Sequence, residues 1–128
     1  MAVKILIADD GKLNRVVLNK LLEPYGRCDM AEDGIAAIKR VVNAFHEKQP
    51  YDLIFLDMMM PGLNGDEVRD KIRSLESSEG VKASKIILVT GIDQTHEELE
   101  KRLQDYEEII AKPVNDEDIK HIMERFGY

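Results

Sequence analysis

The chain has 128 residues, of which 44% are hydrophobic and 34% charged, a composition typical of one globular domain with its own core. Lys and Arg number 18 against 25 Asp and Glu, and the net charge of −7 argues against nucleic acid or an anionic membrane as a direct partner. The single cysteine excludes an intrachain disulfide, and no apolar run approaches the roughly 20 residues of a membrane span, so we expect a cytoplasmic protein.

Short apolar segments alternate with segments of helical periodicity along the whole chain. The strand candidates are Val3–Ala8, the weaker polar segment 27–31, the apolar runs 53–56 and 86–89, and the short segment 109–111. Apolar residues at helical spacing follow each strand, the first set being Leu13, Val16, Val17 and Leu21 and the fourth Leu99, Leu103 and Tyr106. The polar segment 76–85 is long for a connection, and we expect a solvated loop there.

This alternation predicts an α/β fold. Parallel strands need crossover connections, which helices supply, so five β-α units predict a five-stranded parallel sheet with helices on both faces. Right-handed crossovers make such a sheet doubly wound, and ligands then bind beyond the carboxyl ends of the strands, where the strand order reverses. We expect the flavodoxin-like order 2-1-3-4-5, in which the first and third strands are neighbours.

Polar residues stand at the carboxyl ends of four predicted strands. These are Asp9 and Asp10 after the first strand, Asp57 after the third, Thr90 after the fourth and Lys112 after the fifth. Clustered carboxylates repel unless a proton or a cation lies between them, and Mg²⁺ suits a site with few carboxylates, several waters and a phosphate. An aspartate can form an aspartyl phosphate while metal, lysine and hydroxyl neutralise charge. The sequence therefore predicts a phosphoryl-acceptor site.

The motifs that carry these residues resemble those of response-regulator receiver domains, the CheY-like phosphoacceptors of two-component signalling. The matching segments are 5–10 (ILIADD), 53–61 (LIFLDMMMP) with Gly65 eight residues beyond Asp57, 89–91 (VTG) and 111–113 (AKP). Together they extend over nearly the whole chain, and the pattern Asp-x-x-Met-Pro-x-x-x-Gly is fairly specific. The resemblance implies a single receiver domain over residues 1–128 with no output domain.

The resemblance also implies roles for individual residues. Asp57 would take a phosphoryl group from a histidine of a sensor kinase or histidine phosphotransfer protein. Asp10 would bind Mg²⁺ directly, Asp9 largely through water, and the backbone carbonyl of Met59 would be a further ligand beside Asp57. Such a chain is a signalling phosphoacceptor and not an enzyme, and it would bind its downstream target through the fourth helix, fifth strand and fifth helix.

The switch that the resemblance implies is incomplete in this sequence. Lys112, followed by a cis bond to its proline, would pair with the phosphate, and Thr90 would hydrogen-bond the phosphoryl oxygen. The family usually has Tyr or Phe three residues before the lysine, where this chain has Ile109. We therefore expect switching mainly through Thr90 and the following loop, Gly91 and Ile92, because glycine lets the backbone shift at little steric cost. Gly11 also departs from the acid or Asn that often follows the acidic pair.

Two other functions fit the same topology. A flavin-binding module would want a loop rich in Ser, Thr and Gly after the first strand, where this chain has negative charge at Asp9 and Asp10. An aspartate-nucleophile phosphatase would carry a second Asp two residues after the nucleophile, where this chain has Met59. Neither alternative matches the residues as well as a phosphoacceptor.

Overall fold

The computed structural model describes residues 3–91 and 95–128, in which strands and helices alternate as predicted. The strands are β1 Val3–Ala8, β2 Gly26–Ala31, β3 Leu53–Asp57, β4 Lys85–Thr90 and β5 Glu108–Ala111. The helices are α1 Lys12–Leu22, α2 Gly34–His46, α3 Gly65–Glu79, α4 His96–Arg102 and α5 Asp116–Arg125. Within the described ranges, no helix is both long and apolar enough to cross a membrane.

The sheet confirms the predicted topology. Its strand order is β2-β1-β3-β4-β5, and every neighbouring pair is parallel. In the register, Ala8 lies opposite Leu56, and Thr90 lies opposite Ala111. The polar residues at the ends of β1, β3, β4 and β5 therefore meet at one edge of the sheet.

Side chains of alternating residues build a separate apolar layer on each face of the sheet. On one face the strands pack against α1 and α5, through Leu18, Leu22, Ile119, Ile122 and Met123. On the other face they pack against α2 and α3, through Ala37, Val41, Ala44, Val68 and Ile72. All five residues of β3 are buried: the apolar run 53–56, as predicted for a central parallel strand, and Asp57 at its end.

Helix α1 packs only one member of its predicted apolar set, the partly buried Leu21, against the sheet. Leu18 and Leu22 face the sheet, whereas Leu13, Val16 and Val17 remain 74%, 42% and 41% exposed. Apolar residues occupy more than one side of this helix, and the spacing alone does not say which side packs. The result is an exposed apolar strip on α1.

The predicted solvated loop at 76–85 is wrong at its two ends and holds for the exposed connection between them. Helix α3 continues to Glu79, and both Glu76 and Ser84 are buried. Glu76 accepts hydrogen bonds from Arg73 Nη1 at 2.8 Å and from the backbone N–H of Ser84 at 2.7 Å. These partners compensate the burial of a carboxylate, which the polar composition of the segment does not reveal.

Helix α4 is shorter than the spacing of its apolar residues predicts. It ends at Arg102, and Leu103 is half exposed. Tyr106 lies beyond the helix, just before β5, and only 4% of it is exposed. Tyr106 thus fits the helical spacing in the sequence, but its ring packs in the core beside the sheet.

Replacing Glu76 with Ala is expected to lower the free energy of unfolding by about 2–3 kcal/mol, because Arg73 and the Ser84 N–H lose their partner. Glu79→Ala, at an exposed position three residues further along the same helix, is the control. Urea unfolding of both variants checks this, and equal losses would contradict the buried role of Glu76.

Candidate functional site

Three carboxylates converge at the carboxyl end of the sheet. Asp57 is the last residue of β3, and Asp9 and Asp10 follow β1, its neighbour in the sheet. One oxygen from each of the three side chains lies within 4.8 Å of the others. Asp9 and Asp57 are 1% and 3% exposed, whereas Asp10 is exposed. The predicted cluster therefore has two buried members and one that faces solvent.

The first turn of α1 holds Asp9 in a single orientation. Asp9 Oδ1 accepts hydrogen bonds from Gly11 N at 2.8 Å and Asn14 Nδ2 at 3.4 Å. Arg15 Nη1 donates to the backbone carbonyl of Asp9 at 2.8 Å. Asp9 Oδ2 has no hydrogen-bond partner among the described residues. This arrangement turns one oxygen towards the helix and leaves the other facing the site.

A side chain at Gly11 would lie close to two polar side chains at the start of α1. A Cβ at Gly11 would lie 3.0 Å from Asn14 Nδ2 and 3.3 Å from Asp9 Oδ1, which is tighter than ordinary van der Waals contact. Any larger residue would press on the two side chains that form the Asp9 contact. The departure at Gly11 thus accompanies a local hydrogen-bond arrangement that the sequence alone did not reveal.

Lys112 is the cation that lies between the two buried carboxylates. Its Nζ is 3.1 Å from Asp57 Oδ1 and 3.4 Å from Asp9 Oδ2. Burial by itself lowers the pKa of Lys112, but the charges of Asp57 and Asp9 outweigh it and hold that pKa above its usual value. Lys112 therefore stays protonated and cancels part of the negative charge.

The charged form of Asp57 remains unfavourable despite the nearby ammonium of Lys112. Burial is the main reason that the pKa of Asp57 lies above its ordinary value, and the charge of Asp9 raises it further, against hydrogen bonds from Lys112 and the Met59 N–H. Asp57 Oδ2 is buried and, within the described part of the chain, accepts no hydrogen bond. Asp9 Oδ2 and Asp57 Oδ2 accept no hydrogen bond within the described residues, although Lys112 is ion-paired with the former, and such carboxylate oxygens fit a divalent cation.

The start of α3 is packed directly on the backbone that follows Asp57. The Gly65 N–H donates to the Met58 carbonyl at 2.9 Å, and a Cβ at Gly65 would lie 2.9 Å from the Asp57 carbonyl oxygen. Only glycine allows this close approach. Met59, between these contacts, is 74% exposed at the rim of the site.

The remaining predicted residues lie around the same edge. Thr90 is buried at the end of β4, and its carbonyl accepts the Lys112 N–H at 2.8 Å. Gly91 is exposed with open space around it, while the partly buried Ile109 packs against the layer on the α2 and α3 face. The peptide bond from Lys112 to its proline is cis, as expected. Ile92, the other half of the predicted switch loop, lies outside the described residues.

A family model for the response regulator receiver domain matches residues 5–124. The chain belongs to this family. Among curated proteins, hybrid signal transduction histidine kinase L of Dictyostelium discoideum is 30% identical over 125 residues, covering 97% of this chain and 7% of the kinase. The receiver domain thus spans a small part of that relative's length.

Two further relatives support the same family. Two-component response regulator ORR41 of Oryza sativa subsp. japonica is 36% identical over 76 residues, covering 57% of this chain and 58% of that protein. A crystal structure of the receiver domain of histidine kinase CKI1 from Arabidopsis thaliana matches with a TM-score of 0.77 at 27% identity, covering 95% of this chain and 90% of the other. The phosphoacceptor interpretation of the sequence therefore agrees with its relatives, and the roles of single residues stay predictions.

In metal-free solution, the receiver domain should lose stability as the pH rises from about 4 towards neutrality, relative to Asp57→Asn. The folded-state pKa of Asp57 lies above its ordinary value of 3.8, so the folded state binds this proton more tightly than the unfolded state does. That advantage is complete below 3.8 and disappears as the pH rises through the folded-state pKa. Thermal unfolding in a chelator checks this, and parallel pH profiles for the two proteins would contradict it.

Proposed function

We propose that Asp57 accepts a phosphoryl group from a phosphohistidine, with Mg²⁺ held by the carboxylates of Asp9, Asp10 and Asp57. The observation that carries this proposal is the pair of buried oxygens, Asp9 Oδ2 and Asp57 Oδ2, that accept no hydrogen bond within the described residues. Burying two anionic groups together is costly unless a cation compensates them, and Lys112 supplies only one charge. The exposed Asp10 and the backbone carbonyl of Met59 would complete the protein's ligands at the rim of the site.

The protein contributes little covalent chemistry to the phosphoryl transfer. One carboxylate oxygen of Asp57 would bond to phosphorus as the bond from phosphorus to the histidine nitrogen breaks, and the electron pair leaves with the imidazole. When bound, Mg²⁺ would supply positive charge that neutralises both the carboxylates and the phosphoryl oxygens. Lys112, already 3.1 Å from Asp57 Oδ1, would pair with a phosphoryl oxygen, and the Thr90 hydroxyl would donate to another.

The exposed strip on α1 suggests where the phosphodonor binds. Leu13 and Val17 line a cavity of about 180 Å³ together with Pro113, Val114 and the site residue Lys112. An apolar surface this close to an acceptor site suits a partner that presents a histidine within an apolar patch. We therefore propose that a sensor kinase or histidine phosphotransfer protein docks on this strip, and that the downstream target binds the face of α4, β5 and α5.

We further propose that the chain is a signalling phosphoacceptor and acts on no other substrate. The only chemistry proposed for this site is gain and loss of its own phosphoryl group. With one cysteine and an acidic surface, the chain suits the cytoplasm, where such a donor would meet it. This location is part of the proposal.

Incubation with acetyl phosphate and Mg²⁺ should add the mass of one phosphoryl group to the wild-type chain. Asp57→Asn should gain none, because the amide is not a nucleophile of this kind, and a chelator should prevent the gain in the wild type. The adduct should be lost at alkaline pH, as an acyl phosphate is. Equal phosphorylation of Asp57→Asn, measured by intact mass, would refute the assignment.

Leu13→Ser should slow phosphotransfer from a phosphohistidine protein by at least tenfold while leaving the rate with acetyl phosphate nearly unchanged, because it removes apolar surface and adds no charge beside the site. The exposed side chain contributes to the proposed docking strip, but it holds no group of the acceptor site. Ile35→Ser, at an exposed apolar residue of α2, is the matched control. Equal slowing with both donors, or equal slowing by both variants, would contradict docking on α1.

A further inference from the structure

A polar cluster joins the first turn of α3 to the end of α4. Asp66 Oδ1 accepts a hydrogen bond from the Tyr106 hydroxyl at 2.6 Å. Arg102 Nη1 donates to both oxygens of the same carboxylate, at 2.8 and 2.7 Å. We call these three residues, Asp66, Arg102 and Tyr106, the clamp.

Tyr106 is the fixed member of the clamp. Its ring is 4% exposed and belongs to the apolar layer between the sheet, α2 and α3. The guanidinium of Arg69 lies over the ring, 5.4 Å from its centroid. A buried tyrosine hydroxyl needs a partner, and Asp66 supplies it. The ring therefore cannot follow a displacement of Asp66 without disturbing the core.

Asp66 is the member that is connected to the acceptor site. Partial burial alone would raise the pKa of Asp66, but hydrogen bonds from Tyr106 and Arg102 outweigh it, and the pKa lies below its usual value. The preceding residue is Gly65, whose N–H binds the Met58 carbonyl and whose Cα packs on the backbone of Asp57. A shift of the acceptor loop must therefore displace the first turn of α3, and Asp66 with it.

A second connection leads from the clamp back to the same site. Tyr106 is followed by Glu107, whose N–H donates to the Ile86 carbonyl at the start of the β4–β5 pairing. From there β5 runs to Lys112, which contacts Asp57. Two segments of packed backbone, the start of α3 and β5, therefore connect the clamp to the phosphoryl-acceptor site.

We infer that the clamp opposes the rearrangement that follows phosphorylation and thereby couples the acceptor site to the position of α4. The inference rests on the proposed function. The tyrosine of the clamp is immobilised by packing while its aspartate is attached to the acceptor loop, so a displacement of that loop strains or breaks the clamp. An interaction that stabilises the arrangement described here must weaken binding of any ligand that prefers a displaced acceptor loop, and linkage makes the effect reciprocal.

Tyr106→Phe is the test, because it removes one hydroxyl and keeps the buried ring. We expect the affinity for fluoroberyllate with Mg²⁺, a stable phosphoryl analogue, to rise about three- to tenfold in calorimetry, within the usual range of coupling between sites. Hydrogen exchange at residues 99–106 should be faster in the unliganded variant than in the wild type. Arg102→Gln, which removes a partly exposed member of the clamp, should act in the same direction.

Tyr51→Phe is the matched control for this experiment. Tyr51 is equally buried at 4% exposure, and its hydroxyl donates to Asp29 Oδ2 at 2.7 Å, but it lies at the amino-terminal end of the sheet. Tyr51→Phe should lower the free energy of unfolding, as Tyr106→Phe does, but leave the affinity for fluoroberyllate unchanged. A purely structural hydroxyl affects stability alone.

The outcomes separate the two proposals. Unchanged or weaker analogue affinity in Tyr106→Phe and Arg102→Gln, in proteins that still accept a phosphoryl group at Asp57, would overturn the clamp and leave the proposed function standing. An equal gain in Tyr51→Phe would also overturn it. Failure of the wild type to accept a phosphoryl group would overturn the proposed function and the coupling that rests on it.

Discussion

Repulsion between two buried carboxylates is the constraint around which the functional end of this receiver domain is built. Asp9 and Asp57 are almost inaccessible to water, and Lys112 lies 3.1 Å from one and 3.4 Å from the other. One ammonium offsets part of two negative charges and leaves a buried oxygen of each carboxylate without a hydrogen bond among the described residues. The surrounding fold therefore forces these groups together, and the negative charge that remains favours a divalent cation at this edge of the sheet.

The parallel sheet supplies the force that holds the carboxylates in place. Its central strand is buried throughout and fixed between two apolar layers, so Asp57 at its end has no freedom to move away from β1. The first turn of α1 then fixes Asp9 by occupying one oxygen and the backbone carbonyl. Apolar burial, which is favourable in both layers, offsets an unfavourable arrangement of charge at one edge, as is common where strain or repulsion is stored at functional sites.

The alternating strands and helices, and the residues at the strand ends, could be predicted from the sequence. The features that depend on one distant partner residue could not. Apolar strands and helical spacing predicted the topology, and the polar residues at strand ends predicted the convergence of Asp9, Asp10, Asp57 and Lys112. The burial of Glu76 needs Arg73 and Ser84, and the burial of Tyr106 needs Asp66, 40 residues away. In both cases the residue itself resembles a surface or helical position, and only the folded chain supplies the partner that reverses this expectation.

The surface proposed for the phosphodonor and the clamp proposed for coupling lie on opposite faces of the sheet. The strip proposed for the phosphodonor lies on α1, which packs with α5, whereas the clamp joins α3 to α4 and its tyrosine packs in the layer shared with α2. Both arrangements contact the acceptor site, one through Asp9 and Lys112 and the other through the backbone after Asp57. A donor bound on α1 therefore leaves the clamp uncovered. Ile109 has no hydroxyl to pair, whereas the Tyr106 hydroxyl is bonded to Asp66 in the helix that starts where the acceptor loop ends.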